Sequence, residues 1–246
     1  MSQRSRRAAL ALAAGLALPL AFAPFGLWPL AVLAPAVLVV LVLGTPGAAG
    51  AGFLPGWCFG LGLFGAGVWW IQVSVHQFGV PYYVFSVTVT AVFIAGMALY
   101  PALFAVLLAA TAARLGRGGA LLAAPALWVL VELLRGWLFS GFPWLSLGYG
   151  QVDGPLAGYA PVLGVSGVSC AVMAGASALA WAWLARGRAV VPACATLLLV
   201  GAGGLLLARL EWTRPLGEPL TAALVQGNVP QALKWDPAVR AETIAR

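Results

Sequence analysis

Two opposite charges stand where charges are expensive. Glu132 and Arg135 lie in the apolar run ALWVLVELLRGW, three residues apart, so they share one face of a helix. A charged side chain at the centre of a bilayer span costs about 3 kcal/mol, and one that persists there has a job. Two jobs are open: an ion pair that anchors the span near the outer interface, or a grip on a lipid headgroup with Arg135 meeting phosphate. The stretch that follows, SGFPWLSLGYGQVD (140–153), is rich in glycine and aromatics and has no cation; Asp153 is its single charge. Trp137, Phe142, Trp144 and Tyr149 are residue types of the interfacial belt. A loop this apolar is expected to dip into the headgroup layer, as a plain anchor or as the entrance for a lipid substrate.

Other chemistry is thin. Cys58, Cys170 and Cys194 all lie in apolar stretches with no paired spacing, no CxxC and no neighbouring histidine ligands. They read as three small buried thiols rather than a disulfide frame or a metal site. A thiolate is disfavoured in such surroundings. His76 stands alone beside a loop and reads as interfacial. The only lysine is Lys234, and no glycine-rich phosphate loop precedes a Lys-Ser/Thr pair. No nucleophile constellation can be assembled from these residues, and they call for no metal and no cofactor.

What positions the charged pair follows from composition. The chain has 246 residues, 63% hydrophobic and 8% charged, with a mean hydropathy of +1.00. Soluble domains carry about 25% charged residues, so soluble, secreted and disordered classes are excluded. The apolar runs are far longer than barrel strands need. The expected class is a polytopic α-helical membrane protein. Seven runs are candidate spans: Ala8–Ala23, Leu27–Leu43, Phe53–Val75, Val84–Ala110, Ala120–Phe139, Val162–Ala185 and Ala189–Ala208. The first imitates a signal peptide ending at Ala21-Phe22-Ala23, but Pro24 directly afterwards argues for retention. The third, GWCFGLGLFGAGVWW, carries Gly56, Gly60, Gly62, Gly65 and Gly67, a pattern that lets helices approach closely.

The net charge of +7 might suggest nucleic acid, but most cations sit in the gaps between apolar runs. That placement reports topology. With the N-terminus inside, the inner segments 1–7, 44–52, 111–119 and 186–188 hold Arg4, Arg6, Arg7, Arg114, Arg117, Arg186 and Arg188. The outer connections 24–26, 76–81 and 140–159 hold no Lys or Arg. Seven spans then deliver everything after Ala208 to the outer face.

From Glu211 the composition changes, with eight charges that cancel between Glu211 and Arg246. The expected division is a transmembrane domain 1–211, a linker 212–219 and a water-facing segment 220–246. Leu220–Gln226 (LTAALVQ), bounded by Gly227-Asn228, suits a buried strand. Asp236-Pro237 suits a helix start, with Asp as cap and Pro at the first position. One strand and one helix cannot bury each other, so the sequence is expected to stop inside a second, truncated domain.

Four strings together resemble bacterial apolipoprotein N-acyltransferases: FAPFGLWPL (22–30), GLFGAGVWW (62–70), APALWVLVELLRGWLFSGFPWLSLGYGQVDGPL (124–156) and ALVQGNVPQALKWD (223–236). The resemblance covers essentially the whole chain in order. It implies an eight-span membrane bundle with an α/β nitrilase-like (carbon–nitrogen hydrolase) domain on the outer side, between the seventh and eighth spans. A Glu–Lys–Cys triad in that domain carries the reaction. The Cys thiolate takes an acyl chain from a membrane phospholipid, leaving a lysophospholipid, and the thioester passes it to the α-amino group of a diacylglyceryl-cysteine at an apolipoprotein's N-terminus. Glu serves as general base and Lys steadies the oxyanion. The resemblance places that triad beyond the position of Arg246, so no catalytic residue is carried over and this polypeptide alone is expected to be inactive. Trp235 is expected either beside the active-site pocket at the membrane surface or in the core of the hydrolase domain. Glu132, Arg135, Trp144 and Tyr149 are the candidate lipid-binding residues. The implied location is the bacterial inner membrane, N-terminus in the cytoplasm, without nucleic acid. The rival classes are a polytopic carrier or channel, for which no internal repeat is visible, and a non-enzymatic membrane scaffold.

Overall fold

Prolines and glycines decide where the apolar runs become separate helices. The computed structural model describes residues 2–44, 49–79, 81–185, 190–226, 228–230, 233, 237–238 and 241. Helix α1 (Gln3–Ala17) begins where the Ser2 hydroxyl accepts from the Ser5 N–H. It ends at Pro19, and a short 3₁₀ turn (Leu18–Ala21) finishes the run. Helix α2 (Pro29–Leu43) opens on a proline, whose missing N–H costs nothing there.

The third run is not one straight helix. It forms α3 (Phe53–Gly67) and α4 (Ile71–Phe78), bent by 56°. The break falls at Val68, whose φ of −130° and ψ of 13° leave the helical region, after two glycines and before the bulky Trp69-Trp70 pair. The fourth and fifth runs are redistributed over α5 (Tyr83–Met97) and the 39-residue α6 (Leu99–Trp137). The interruption expected between them survives as a single break at Gly116, with φ 72° and ψ 175°, which glycine adopts without a side-chain penalty. Helix α7 (Ala160–Ala185) breaks in the same way at Gly164, and α8 (Val190–Leu207) completes the described helices.

The expected seven spans are therefore not what the helices show by length and composition. Among the described residues, three stretches are long and apolar enough to cross a membrane: Tyr83–Ser140, Ala157–Ala185 and Val190–Leu207. The bent pair α3–α4 makes a fourth if counted as one span. The shortfall has two causes. At 15 residues each, α1 and α2 reach only about 22 Å, and the helices around Gly116 run together.

The chain divides into two units, Met1–Leu210 and Glu211–Arg246. In the first, α3 is central, with α1 on one side and α6 on the other; α7 packs against α2, α6 and α8. Backbones meet directly. A Cβ on Gly15 or Gly62 would run into the facing backbone across the α1–α3 seam, and one on Gly56 or Gly60 would lie within 2.6 Å of α6 or the Ala98 that leads into it. Gly67 abuts the Leu145 side chain, whereas Gly65 faces open space. Phe59, Phe64 and Phe104 fill the interior, fully buried. The outer surface is apolar too, Leu122 and Leu198 being largely exposed. Two cysteines depart from expectation. Cys170 and Cys194 are exposed on the helix exterior and Cys58 is half-buried, because a thiol is apolar enough to face outward where the surroundings are greasy.

In the second unit, residues 220–226 form no strand, and Leu220, Leu224 and Val225 stand exposed. A strand needs a partner, and no strand exists among the described residues to pair with it. Asp236, of the expected helix start, and Trp235 lie outside the described residues, as do Lys234 and Glu242; Pro237 sits in a turn.

Candidate functional site

The expected site gathers at the C-terminal end of α6. The chain reverses abruptly after Trp137: Phe139, Ser140 and Gly141 are all left-handed, with φ of 53°, 71° and 79°. The reversal is so tight that a side chain at Gly141 would collide with the Gly136 carbonyl. For Phe139 and Ser140 this conformation costs about 1–2 kcal/mol each, so contacts outside the turn must hold the loop.

Arg135 holds it. Only 4% exposed, its guanidinium reaches into the concave side of the loop. Nη1 donates to the Phe142 carbonyl at 2.7 Å and to the Trp144 carbonyl, and Nη2 donates to Ser146 Oγ at 3.0 Å. Ser146 in turn donates to the Pro143 carbonyl at 2.9 Å. The Phe142 N–H returns to the Arg135 carbonyl at 2.9 Å. Below the guanidinium the Phe64 ring lies 5.6 Å away, a cation–π seat supplied by α3.

Glu132 does the complementary work. Its Oε1 accepts from Trp128 Nε1 and from the Leu147 N–H, both at 2.8 Å. So the base of the loop is pinned by a donor and an acceptor one helical turn apart. Neither charge spends a hydrogen bond on the other. Each supplies a partner to loop backbone that no helix satisfies. The ion pair expected between the two charges is not what these hydrogen bonds form: both side chains turn to the loop instead.

The rest of the loop is stitched to other helices. Gly148 donates to Ser169 Oγ on α7 at 2.9 Å and sits so close to Val165 that no side chain fits. Gln151, fully buried, donates through Nε2 to the Trp28 carbonyl at 3.2 Å, while its Oε1 has no partner. Aromatic rings complete the rim: Phe142 stacks on Trp144 at 5.2 Å and meets Phe93 edge-on at 5.0 Å, and Trp70 lies 6.3 Å from Trp144. Trp144 and Tyr149 are half exposed, and Phe139 at the tip is 89% exposed.

Four of the five sequence candidates thus share one loop and its seat, and Trp235 lies outside the described residues. Glu132 and Arg135 face inward, while Trp144 and Tyr149 face out. Sequence reasoning missed Trp128, Ser146, Ser169 and Gln151. Trp128 was within reach of it, since Trp128 and Glu132 stand at i,i+4 spacing. The others pair across 11 to 123 residues, a separation no local pattern encodes. His76 lies on α4, edge-on to Tyr83 at 6.0 Å.

Comparison with known proteins gives one consistent answer. Residues 14–178 match the family described as the apolipoprotein N-acyltransferase N-terminal domain. The chain is 44% identical to the apolipoprotein N-acyltransferase of Methylococcus capsulatus over 241 residues, 96% of this chain and 46% of that protein. It is 40% identical to that of Vibrio parahaemolyticus over 245 residues (99% and 47%), and 45% identical to that of Pseudomonas putida over 239 residues (93% and 46%). The chain therefore spans about half the length of the curated relatives it matches.

Proposed function

The chain belongs to the apolipoprotein N-acyltransferase family, and from that premise we propose that residues 1–210 form the membrane platform of an acyltransferase in lipoprotein maturation. The donor is a phospholipid of the bacterial inner membrane, and the acceptor is the α-amino group of a diacylglyceryl-cysteine on an apolipoprotein. The acyl chain passes through a Cys thioester on a carbon–nitrogen-hydrolase domain that begins within 220–246. The thiolate attacks the ester carbonyl and releases a lysophospholipid; the amine then attacks the thioester and returns the thiolate, losing its proton to the Glu base. Splitting a slow ester aminolysis into two transfers is the gain of the covalent route. No residue of 1–246 is assigned to the triad.

In this reading the 138–151 loop is where donor lipid meets the platform. The carrying observation is the loop's division of labour. Its backbone is clamped from within by Arg135 and Glu132, and its aromatic rim, Phe139, Trp144 and Tyr149, is left exposed. A lipid entrance needs this combination of apolar surface toward the acyl chains and fixed geometry behind it. Arg135 and Glu132 are then positioning residues, and Trp144 and Tyr149 contact lipid. In this reading the chain crosses seven times, with the N-terminus cytoplasmic and the loop on the outer face. The absence of Lys and Arg from 140–159 and the Gly116 break between Arg114 and Arg117 both favour that topology.

The test is the Arg135→Ala variant of the enzyme carrying these residues together with its hydrolase domain. N-acylation of a diacylated lipopeptide is measured as phospholipid is made limiting. The expected result is a raised KM for phospholipid and unchanged thioester reactivity toward amine. Unchanged kinetics at limiting phospholipid would overturn the role given to the loop.

A further inference from the structure

A second feature of the bundle lies midway along α6, just past the Gly116 break. A cavity of about 440 Å³ opens between α6, α7 and α8, walled by Leu121, Pro125, Ala178 and Trp181. An apolar cavity of about 150 Å³ already takes a benzene, and this one is in the range of small-ligand sites. Its polar content is specific. The Thr196 hydroxyl on the α8 wall is spent on the Pro192 carbonyl at 2.9 Å. The Ser177 hydroxyl on α7 is unspent: the residue is 6% exposed and its Oγ has no hydrogen-bond partner. Leaving such a group buried and unpaired costs about 1–3 kcal/mol. On the α6 wall Pro125 has no N–H to give the Leu121 carbonyl, yet the Ser177 hydroxyl makes no hydrogen bond to that wall either. Gly118 lines the cavity; Arg117, its neighbour in the chain, and Arg114, across the Gly116 break, are exposed. The cavity therefore combines an apolar slot, one free hydroxyl donor and a cationic margin.

We propose that this cavity holds one acyl chain of a glycerophospholipid, with an ester carbonyl accepting from Ser177 and the phosphate beside Arg114 and Arg117. The ligand chemistry follows from the parts: methylenes for the slot, a hydrogen-bond acceptor for the hydroxyl and an anion for the arginines. Arg117 precedes Arg135 by eighteen residues on one helix, about 27 Å, close to the thickness of a hydrocarbon core. The lipid belongs to the leaflet opposite the loop, and so it is a resident lipid and not the acyl donor.

The experiment uses the full chain in nanodiscs doped with phosphatidylglycerol carrying a diazirine on one acyl chain. Photo-cross-links are mapped by peptide mass spectrometry. The expected result is a concentration of cross-links on 118–125 and 174–181 over the equally apolar, exposed Leu198 and Leu199. Ala178→Phe fills the slot and removes them. Ser177→Ala lowers their yield about fivefold, the worth of one ordinary hydrogen bond. Because Ala178→Phe can also disturb packing, the exposed pair Arg114→Gln/Arg117→Gln serves as an independent arm, expected to lower the yield about fivefold or more. Cross-links spread evenly over the helix exterior, or yields unmoved by Ser177→Ala and by the arginine pair, would overturn the proposal.

Discussion

The α1–α3 seam and the loop seat under Arg135 hold the same bundle together by opposite means. At the seam Gly15 and Gly62 let two backbones touch with no polar side chain involved. At the seat, a buried guanidinium and a carboxylate hand out hydrogen bonds to a chain segment that has no helix to satisfy it. Burying apolar surface gains little between helices in a bilayer, because lipid is as apolar as leucine. What remains is close contact or hydrogen bonding, and the molecule uses one where the chain is regular and the other where it is not.

The largest test of this contrast is Gly62→Leu, which forces side-chain atoms into the α1 backbone; a loss of about 3 kcal/mol or more is expected, read by steric trapping in bicelles. Equal stability would dissolve the seam. Arg135→Ala comes next. It strands two carbonyls and a serine in a dry site, for about 2–3 kcal/mol. Limited proteolysis should then cut within 138–146 while the bundle stays intact; protection equal to wild type would show that the loop holds itself. Trp128→Phe keeps the ring packing against Phe104 and deletes one bond to Glu132, at about 1 kcal/mol by thermal unfolding. A larger drop would mean that Glu132 depends on Trp128 for its place. The smallest effect sharpens the seam side. Gly65→Ala, on the same helix but facing open space, is expected to be neutral or to stabilise by up to about 1 kcal/mol through helix propensity. A loss there would show that glycine matters along all of α3.

The importance of Glu132 and Arg135 was legible because a charge in an apolar run is conspicuous at any resolution of thought. Their partners were not. The opposite charge three residues away offered a ready explanation, and it concealed acceptors 7 to 11 residues downstream. Helices were legible as runs, but their ends were not. Hydropathy does not distinguish a glycine that tolerates a helix, such as Gly65, from Gly116, which breaks one. The bend at Val68 depends on how α3 and α4 settle against their neighbours, and apolar content carries no record of that. The strand expected at 220–226 had the right residue types, but a strand is a property of two segments and only one was being read. The buried thiols failed for a related reason: an inside-outside rule built for water does not sort side chains in lipid.

Gln151 reaches back 123 residues to the carbonyl of Trp28. During synthesis at 5–20 residues per second, the turn that leads into α2 exists for roughly 6–25 s before the amide that closes on it has been made. That turn must therefore wait for its partner, and α7 and α8, later still in the chain, close over α2 and α6 only after the stitch is made.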